Sequence, residues 1–354
     1  MSIIESIAPK AAALRRAEQG GSSLGSQNSP DPAPSPSESV AGSGAAIPLA
    51  GVVDADGAIG AILIRAGLLS FADAEAIVRC QEESGLRFGE AGLQLGLLTH
   101  ADIGAALAQQ FDYPYLVGGN SAVSPEVVAA YAPFSARAET LRALRSQLMQ
   151  RWLEPAAHAG AYNGGASTPD EPRGSLAVAG GGRALAITSA GAGDGRSTLA
   201  ANLAVVFSQQ GQRTLLIDAD LRQPCQHRLF GLANRQGLSS LLIRRGSAEA
   251  IQPVVGLHNL CVITAGAPAP NPLELLGRPL FATILQELAD DFDVILIDTP
   301  AGTQYADAQT VATRAGAALI LAQQDGSRVR AVHDFVSGLQ ASGVFMVGSV
   351  LRHA

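Results

Sequence analysis

The sequence predicts an α/β domain with a mostly parallel, doubly wound sheet, preceded by a small all-α repeat domain. Three observations carry this. Between residues 183 and 351, short apolar runs near 184–188, 213–217, 259–264, 293–297, 317–321 and 344–350 alternate with helical stretches, as in a parallel sheet covered on both faces. Three of these runs end in residue types that handle phosphate or a divalent cation. Upstream, Gly60 and Gly89, Gly67 and Gly96, and Gln81 and Gln110 stand at one constant spacing, the mark of a duplicated helical unit.

The first chemical run, Ala184 to Thr198, is an apolar strand, a glycine-rich turn and the start of a helix. Backbone N–H groups of Gly193, Asp194, Gly195 and Arg196, with Gly191 opening the turn, would cradle nucleotide phosphates at a helix N-terminus. Ser197 is placed to ligate Mg²⁺ and Thr198 to follow it along the phosphates. Two departures stand out: Ala190 occupies the first glycine position and Arg196 the usual lysine. The second run, Thr214 to Pro224, ends in Asp218, Asp220 and Arg222; the third, Phe292 to Pro300, ends in Asp298. Ligands of open parallel sheets sit outside the carboxyl ends of the strands, so Ser197, Asp218, Asp220 and Asp298 are expected to converge on one Mg–nucleotide. The plainer alternative is that these aspartates cap the helices that follow. Together the runs predict a phosphate-loop nucleotide-binding fold.

Composition narrows the partners. A formal charge of −7 without a basic run argues against nucleic acid. Cys80, Cys225 and Cys261 are scattered and form no Cys-x-x-Cys pair, which fits a reduced compartment and no zinc site. The longest apolar stretches, near 315–322 and 344–351, fall short of the roughly 18–20 residues of a membrane helix. Met-Ser-Ile-Ile-Glu is not a signal-peptide start. A cytoplasmic protein is expected, peripheral to the inner membrane through a partner.

Residues 1–50 read as a disordered tail and linker: 1–18 is a brief helix or docking peptide, and 19–50 is rich in Gly, Ser and Pro. Residues 51–135 read as the helical repeat, 136–154 as a separate helix, 155–182 as a second linker and 183–354 as the nucleotide-binding domain. Within each repeat a short helix leads to Gly-Leu-Leu, a polar N-cap (Ser70, Thr99) and a second amphipathic helix. The helix that opens at Ser197 is expected to end at Gly211.

The three phosphate and carboxylate runs resemble those of bacterial tyrosine kinases, which share their fold with partition and division-site ATPases of the deviant phosphate-loop (Walker A) type. His227-Arg228-Leu229-Phe230, Gln236-Gly237-Leu238-Ser239, Ala265 through Leu276 and Asp307-Ala308 extend the likeness. Glu139-Thr140-Leu141-Arg142-Ala143-Leu144-Arg145 is similar to the helix through which these kinases assemble, so Glu139, Arg142 and Arg145 are expected to make a homo-oligomer contact; an exposed ion-pair face is the alternative. A closer likeness is to the soluble kinases of exosortase-linked exopolysaccharide systems, whose membrane chain-length determinant is a separate polypeptide. The repeat resembles the N-terminal module of type II secretion and pilus ATPases. That likeness implies a cyclic di-GMP site from Gly60, Gly67, Gln81, Arg87, Gly89, Gly96 and Gln110. Ala58 and Gly92 depart from its pattern, and a docking bundle without ligand is the alternative.

The resemblance implies ATP and Mg²⁺ as cofactors and tyrosine phosphorylation as the reaction. Asp218 is expected to be the base and a metal neighbour; Asp220 and Asp298 hold the hydrated cation; Ser197 ligates it; Thr198 meets the α-phosphate. Arg222 orients Asp220 or a phosphate, or forms a structural salt bridge. Arg196 keeps its charge and grips phosphate, but its planar head follows a transferring group poorly, so a slow kinase is expected. The kinases usually carry acceptor tyrosines in a C-terminal cluster. Here the last tyrosine is Tyr305, read as lying inside the core. The expected acceptors are therefore Tyr113, Tyr115, Tyr131, Tyr162 or another protein. Two other readings stay open: a partition-type ATPase, against which Gly191 stands where that type has a lysine, and a nucleotide-locked regulatory scaffold without transfer.

Overall fold

The computed structural model describes residues 59–111, 113–116, 121–153 and 183–353. The expected tail (1–50), the linker at 155–182, Ala58 and Tyr162 lie outside them. The chain divides into two compact units between Tyr113 and Pro114.

Among the described residues the smaller unit holds four helices: α1 (Ile59–Arg65), α2 (Phe71–Ser84), α3 (Phe88–Gln94) and α4 (His100–Gln110). Ser70 and Thr99 cap α2 and α4 in the same way. Each hydroxyl accepts the N–H of the third helical residue, Asp73 or Asp102, whose carboxylate takes the cap's own N–H. Gly67 and Gly96 turn the chain at φ +71° and +67°, which L side chains adopt only under strain. Ile62, Leu63, Leu69, Ile77, Ala91, Leu98 and Ala106 form the core. A Cβ on Gly92 would come within 2.5 Å of Leu98 Cδ1, so the departure at Gly92 makes room for Leu98.

The larger unit is built on a seven-stranded sheet: β1 (Ala184–Ser189), β2 (Thr214–Asp218), β3 (Ile251–Pro253), β4 (Leu260–Ile263), β5 (Val294–Asp298), β6 (Ala317–Gln323) and β7 (Phe345–Arg352), in the order β3-β4-β2-β5-β1-β6-β7. All neighbours are parallel except β3 and β4. The six expected strands are present to within two residues; β3, only three residues long and ending in a proline, gave no apolar run to read. Every residue of β1, β2 and β5 is buried, as central strands covered on both faces must be.

The helices of this unit are α5 (Val128–Tyr131), α6 (Ala136–Leu148), α7 (Arg196–Ser208), α8 (Gln226–Leu229), α9 (Leu238–Leu242), α10 (Pro272–Leu276), α11 (Pro279–Asp291), α12 (Asp307–Ala315) and α13 (Val329–Ala341). α7 starts at Arg196, one residue before the expected Ser197, and Gly211 follows it at φ +88°. It is buried along most of its length because residues 121–153 cover the face turned away from the sheet. Asn202 stitches the two together: its Oδ1 accepts the Ala129 N–H at 3.0 Å, and its Nδ2 donates to the carbonyls of Glu126 (3.1 Å) and Thr198 (2.8 Å). Gln209 Nε2 donates to the carbonyls of Pro114 and Ala129. Residues 51–135 were expected to form the repeat domain, whereas these bonds put Pro114, Glu126 and Ala129 in the α/β unit.

α6 belongs there too. Leu141, Leu148 and Trp152 (in a π turn, Met149–Leu153) join the α/β core. Arg145 Nη1 donates to the Val206 carbonyl at 2.7 Å, and Arg142 pairs with Glu139 at 2.5 Å and donates to the Pro133 carbonyl. Among the described residues no helix is long and apolar enough to cross a membrane.

Candidate active site

Sheet register decides what meets what. Asp218 and Asp298, the last residues of β2 and β5, are paired neighbours across the two parallel strands, and Asp298 also pairs with Ile187 of β1. The three runs singled out in the sequence therefore end side by side.

Asp218 is fully buried, and both its oxygens face backbone. Oδ2 accepts the N–H groups of Cys225 (3.1 Å) and Gln226 (3.0 Å); Oδ1 accepts that of Asp220 (3.2 Å). It thus caps the short α8, the plainer role weighed for it. Asp220 does the same for the turn, its Oδ1 accepting the N–H of Arg222 and Gln223. Asp298 differs. Its Oδ2 accepts from Gln226 Nε2 at 2.8 Å, and Ser197 also hydrogen-bonds it. Its Oδ1 is buried without a hydrogen-bond partner, as is Gln226 Oε1.

Burial raises the pKa of Asp218 well above the carboxylate range, and the nearby charges of Asp298 and Asp220 push the same way. Burial also lifts Asp298 to about 6, against the lowering by Gln226, Ser197 and Arg196. The thiol of Cys225 beside them is pushed up to about 12 by burial.

Arg196 lies folded across the loop and is 9% exposed. Nε donates to the Thr299 carbonyl (2.9 Å); Nη1 donates to Ser189 Oγ and the Gly191 carbonyl, both at 2.6 Å. The arginine thus ties the phosphate loop to the tip of β5. The loop is braced again by Asp194, whose carboxylate accepts from Gly191 N (3.1 Å) and Ser327 Oγ (3.0 Å). Gly193 and Gly195 adopt φ of +80° and +95°. Arg222 makes the salt bridge weighed for it, with Nε and Nη2 on the buried Asp307 at 2.7 and 3.2 Å. Its guanidinium stacks on Tyr305, 3.8 Å from the ring centroid. Tyr305 is 42% exposed, in an exposed stretch from Thr303 to Ala306. The expectation that it lies inside the core is therefore wrong: it sits on a loop between β5 and α12, where no strand or helix covers it.

Beside the N-terminus of α7 opens a cavity of about 520 Å³, lined by Gly195, Thr198, Arg137, Leu321, Val350 and Arg352 among others. Arg352 reaches over the loop, its Nη1 3.4 Å from the Asp194 carbonyl oxygen. A chamber of this size next to Thr198 has room for a base and sugar.

The residues fit a magnesium–nucleotide on one structural ground. A buried carboxylate oxygen with no partner, next to a serine hydroxyl at a phosphate loop, is a vacancy in hydrogen bonding that a hydrated cation fills. Among the described residues no group of three or more His, Cys, Asp or Glu forms a metal cage, and Mg²⁺ bound through phosphates and water needs none.

Residues 182–333 match a family model described as the NUBPL iron-transfer P-loop NTPase of the ParA group. Over 170 residues the chain is 37% identical to the putative tyrosine-protein kinase CapB of Staphylococcus aureus, covering 48% of this chain and 75% of CapB. The chain belongs to the bacterial tyrosine-kinase family. It is 43% identical over 139 residues to tyrosine-protein kinase YwqD of Bacillus subtilis, covering 39% of this chain and 59% of YwqD. It spans 23% of tyrosine-protein kinase etk of Escherichia coli. Among solved structures, the kinase domain of Escherichia coli ETK matches with a TM-score of 0.54 and 29% identity, over 64% of this chain and 80% of that one. The chimerical protein CapA2B2 matches with 0.53 and 28%, over 70% and 97%. These matches span the P-loop ATPase domain of the family.

Four participants escaped the sequence reading. Gln226 carries no motif. Ser327 and Arg352 follow β6 and end β7, and the strand-tip rule that found Asp218 would have reached them. Asp307 was noted only as part of a likeness, yet it anchors Arg222. The glycines proposed for cyclic di-GMP stay within the helical unit, where Arg87 is exposed and Glu90 caps its backbone N–H at 3.0 Å.

A carboxyl whose pKa is raised by folding stabilises the fold below its unfolded value near 4, and that contribution is lost as pH rises through about 6. Asp298→Asn removes the ionisation. The variant is expected to melt higher than wild type near neutral pH, by on the order of 2 kcal/mol. That advantage should vanish below about pH 4. Thermal melts across pH measure this, and a variant less stable at neutral pH would contradict it.

Proposed function

We propose that the chain is an ATP-dependent protein tyrosine kinase that acts with a membrane chain-length determinant in exopolysaccharide synthesis. The observation that carries the reading is the pairing of Asp218 with Asp298 at the mouth of the phosphate loop, in a chain 37% identical over 170 residues to the putative tyrosine-protein kinase CapB. Phosphoryl transfer asks a protein mainly for positioning and charge stabilisation. The loop N–H groups and Thr198 would hold the phosphates, Ser197 and Asp298 the Mg²⁺, which neutralises charge on the transferring group. The raised pKa of Asp218 suits it to hold the acceptor's proton, once substrate draws it from its backbone bonds. Asp220, beside both, would order the cation's waters. Homo-oligomerisation through α6 fits the exposed Glu139, whereas Arg142 and Arg145 are both engaged within the chain. Attachment to the inner-membrane face would come through the partner.

One observation favours the second reading, a nucleotide-switched scaffold of the partition type. Arg196 is held by three acceptors and Asp218 by three N–H groups. Restoring the compact ammonium separates the two. If transfer is the function, Arg196→Lys should raise the rate on a Glu-Tyr copolymer by on the order of 10², with nucleotide affinity nearly unchanged. Tight nucleotide binding with no phosphotyrosine in either protein would eliminate the kinase and leave the switch.

For the helical repeat, the alternative to a docking unit without ligand is a cyclic di-GMP site formed by Gly60, Gly67, Gln81, Arg87, Gly89, Gly96 and Gln110. Calorimetric titration of the full chain with cyclic di-GMP tests it: saturable heat lost in Arg87→Ala supports it, and no heat at high micromolar ligand ends it.

A further inference from the structure

We propose that Tyr305 is an acceptor of the phosphoryl group that this site transfers, a modification site on the rim of the active centre. The inference rests on the kinase reading above and adds the residue on which the chain would be modified.

The placement follows from the phosphate loop's polarity. Arg196 stands where the loop's cation meets the terminal phosphates, whereas Thr198 marks the opposite end. Arg196 is bonded to the Thr299 carbonyl, so the chain leaving β5 starts at the terminal-phosphate end. From there it stays against the loop's opening: Gly302 N–H donates to the Ser189 carbonyl at 2.9 Å, and Thr303 donates to the Ala190 carbonyl through N–H (3.1 Å) and Oγ1 (2.6 Å). Tyr305 comes two residues later. Its ring is held on the other side by Arg222, whose own N–H sits on Asp220 Oδ1 and whose guanidinium is fixed by Asp307. The tyrosine is thus tethered both to the loop that would carry the terminal phosphate and to the turn that carries the second aspartate.

Accessibility singles it out as well. Of the described tyrosines, Tyr113, Tyr115 and Tyr131 are half-buried, and the Tyr131 hydroxyl is given to the Val123 carbonyl; Tyr305 is exposed. In the step itself, the Tyr305 hydroxyl oxygen forms the bond to the terminal phosphorus of a nucleoside triphosphate. The bond from that phosphorus to the bridging oxygen breaks, the diphosphate leaves with the electron pair, and the phenolic proton passes to an aspartate and then to water.

Incubating the full chain with Mg–ATP, with the Glu-Tyr copolymer in the same tube, and mapping phosphopeptides by mass spectrometry is the test. Phosphate on the Tyr305 peptide, absent in Tyr305→Phe, is the expected result; the phenylalanine keeps the ring over Arg222 and removes only the hydroxyl. Copolymer phosphorylated while the Tyr305 peptide stays unmodified, whether or not other tyrosines of the chain are labelled, overturns the proposal and leaves the kinase reading standing. Phosphotyrosine on neither copolymer nor chain overturns both.

Discussion

Two carboxylates end neighbouring strands of a buried sheet, and neither reaches water. That juxtaposition of Asp218 and Asp298 is the constraint to which the surrounding structure answers. A pair of buried anions is costly unless each finds donors or a proton. Asp218 is met by three backbone N–H groups, Asp298 by Gln226, Ser197 and the nearby charge of Arg196. Even so, burial keeps both pKa values raised. One oxygen of Asp298 has no hydrogen-bond partner, and it belongs to the carboxylate that Ser197 of the phosphate loop hydrogen-bonds.

Arg196 is the counterpart of that pair. Its guanidinium ties the loop to the tip of β5 through Ser189, Gly191 and Thr299, something a lysine's compact head could not do at three directions with a planar fork. The arginine thus organises the phosphate loop, and under the kinase reading those same bonds would leave the cation less free to follow a moving phosphoryl group. Binding and transfer ask different things of one residue. The loop's far end is governed separately, by Asp194, Ser327 and Arg352 around the cavity beside Thr198.

Much of this was legible in the chain. Apolar runs ending in Asp218 and Asp298 foretold buried strands with carboxylates at their tips, because burial on both faces leaves an uninterrupted hydrophobic signature. Ser70 and Thr99 announced their helices through local hydrogen bonding, which depends on near neighbours only. What escaped depends on distant partners. The pairing of Arg222 with Asp307, the bridge from Gln226 to Asp298 and the bonds of Asn202 to Glu126 and Ala129 join residues far apart in sequence, and no spacing encodes them. The exposure of Tyr305 is decided by where β5 stops, which its neighbours Gln304 and Ala306 do not encode. The division after Tyr113 was likewise hidden, since residues 121–153 look like a continuation of helical sequence until Asn202 and Gln209 claim them.

Asp298, lifted by burial to a pKa of about 6, is expected to release its proton to solvent when a magnesium–nucleotide binds beside it. Calorimetry of Mg–ADP binding near pH 6, at saturating Mg²⁺ and in buffers of differing ionisation enthalpy, measures this directly. The predicted result is net proton release by the wild type, strongest around that pH and reduced in Asp298→Asn. Binding heats that give the same proton count for both proteins, or proton uptake by the wild type, would contradict it.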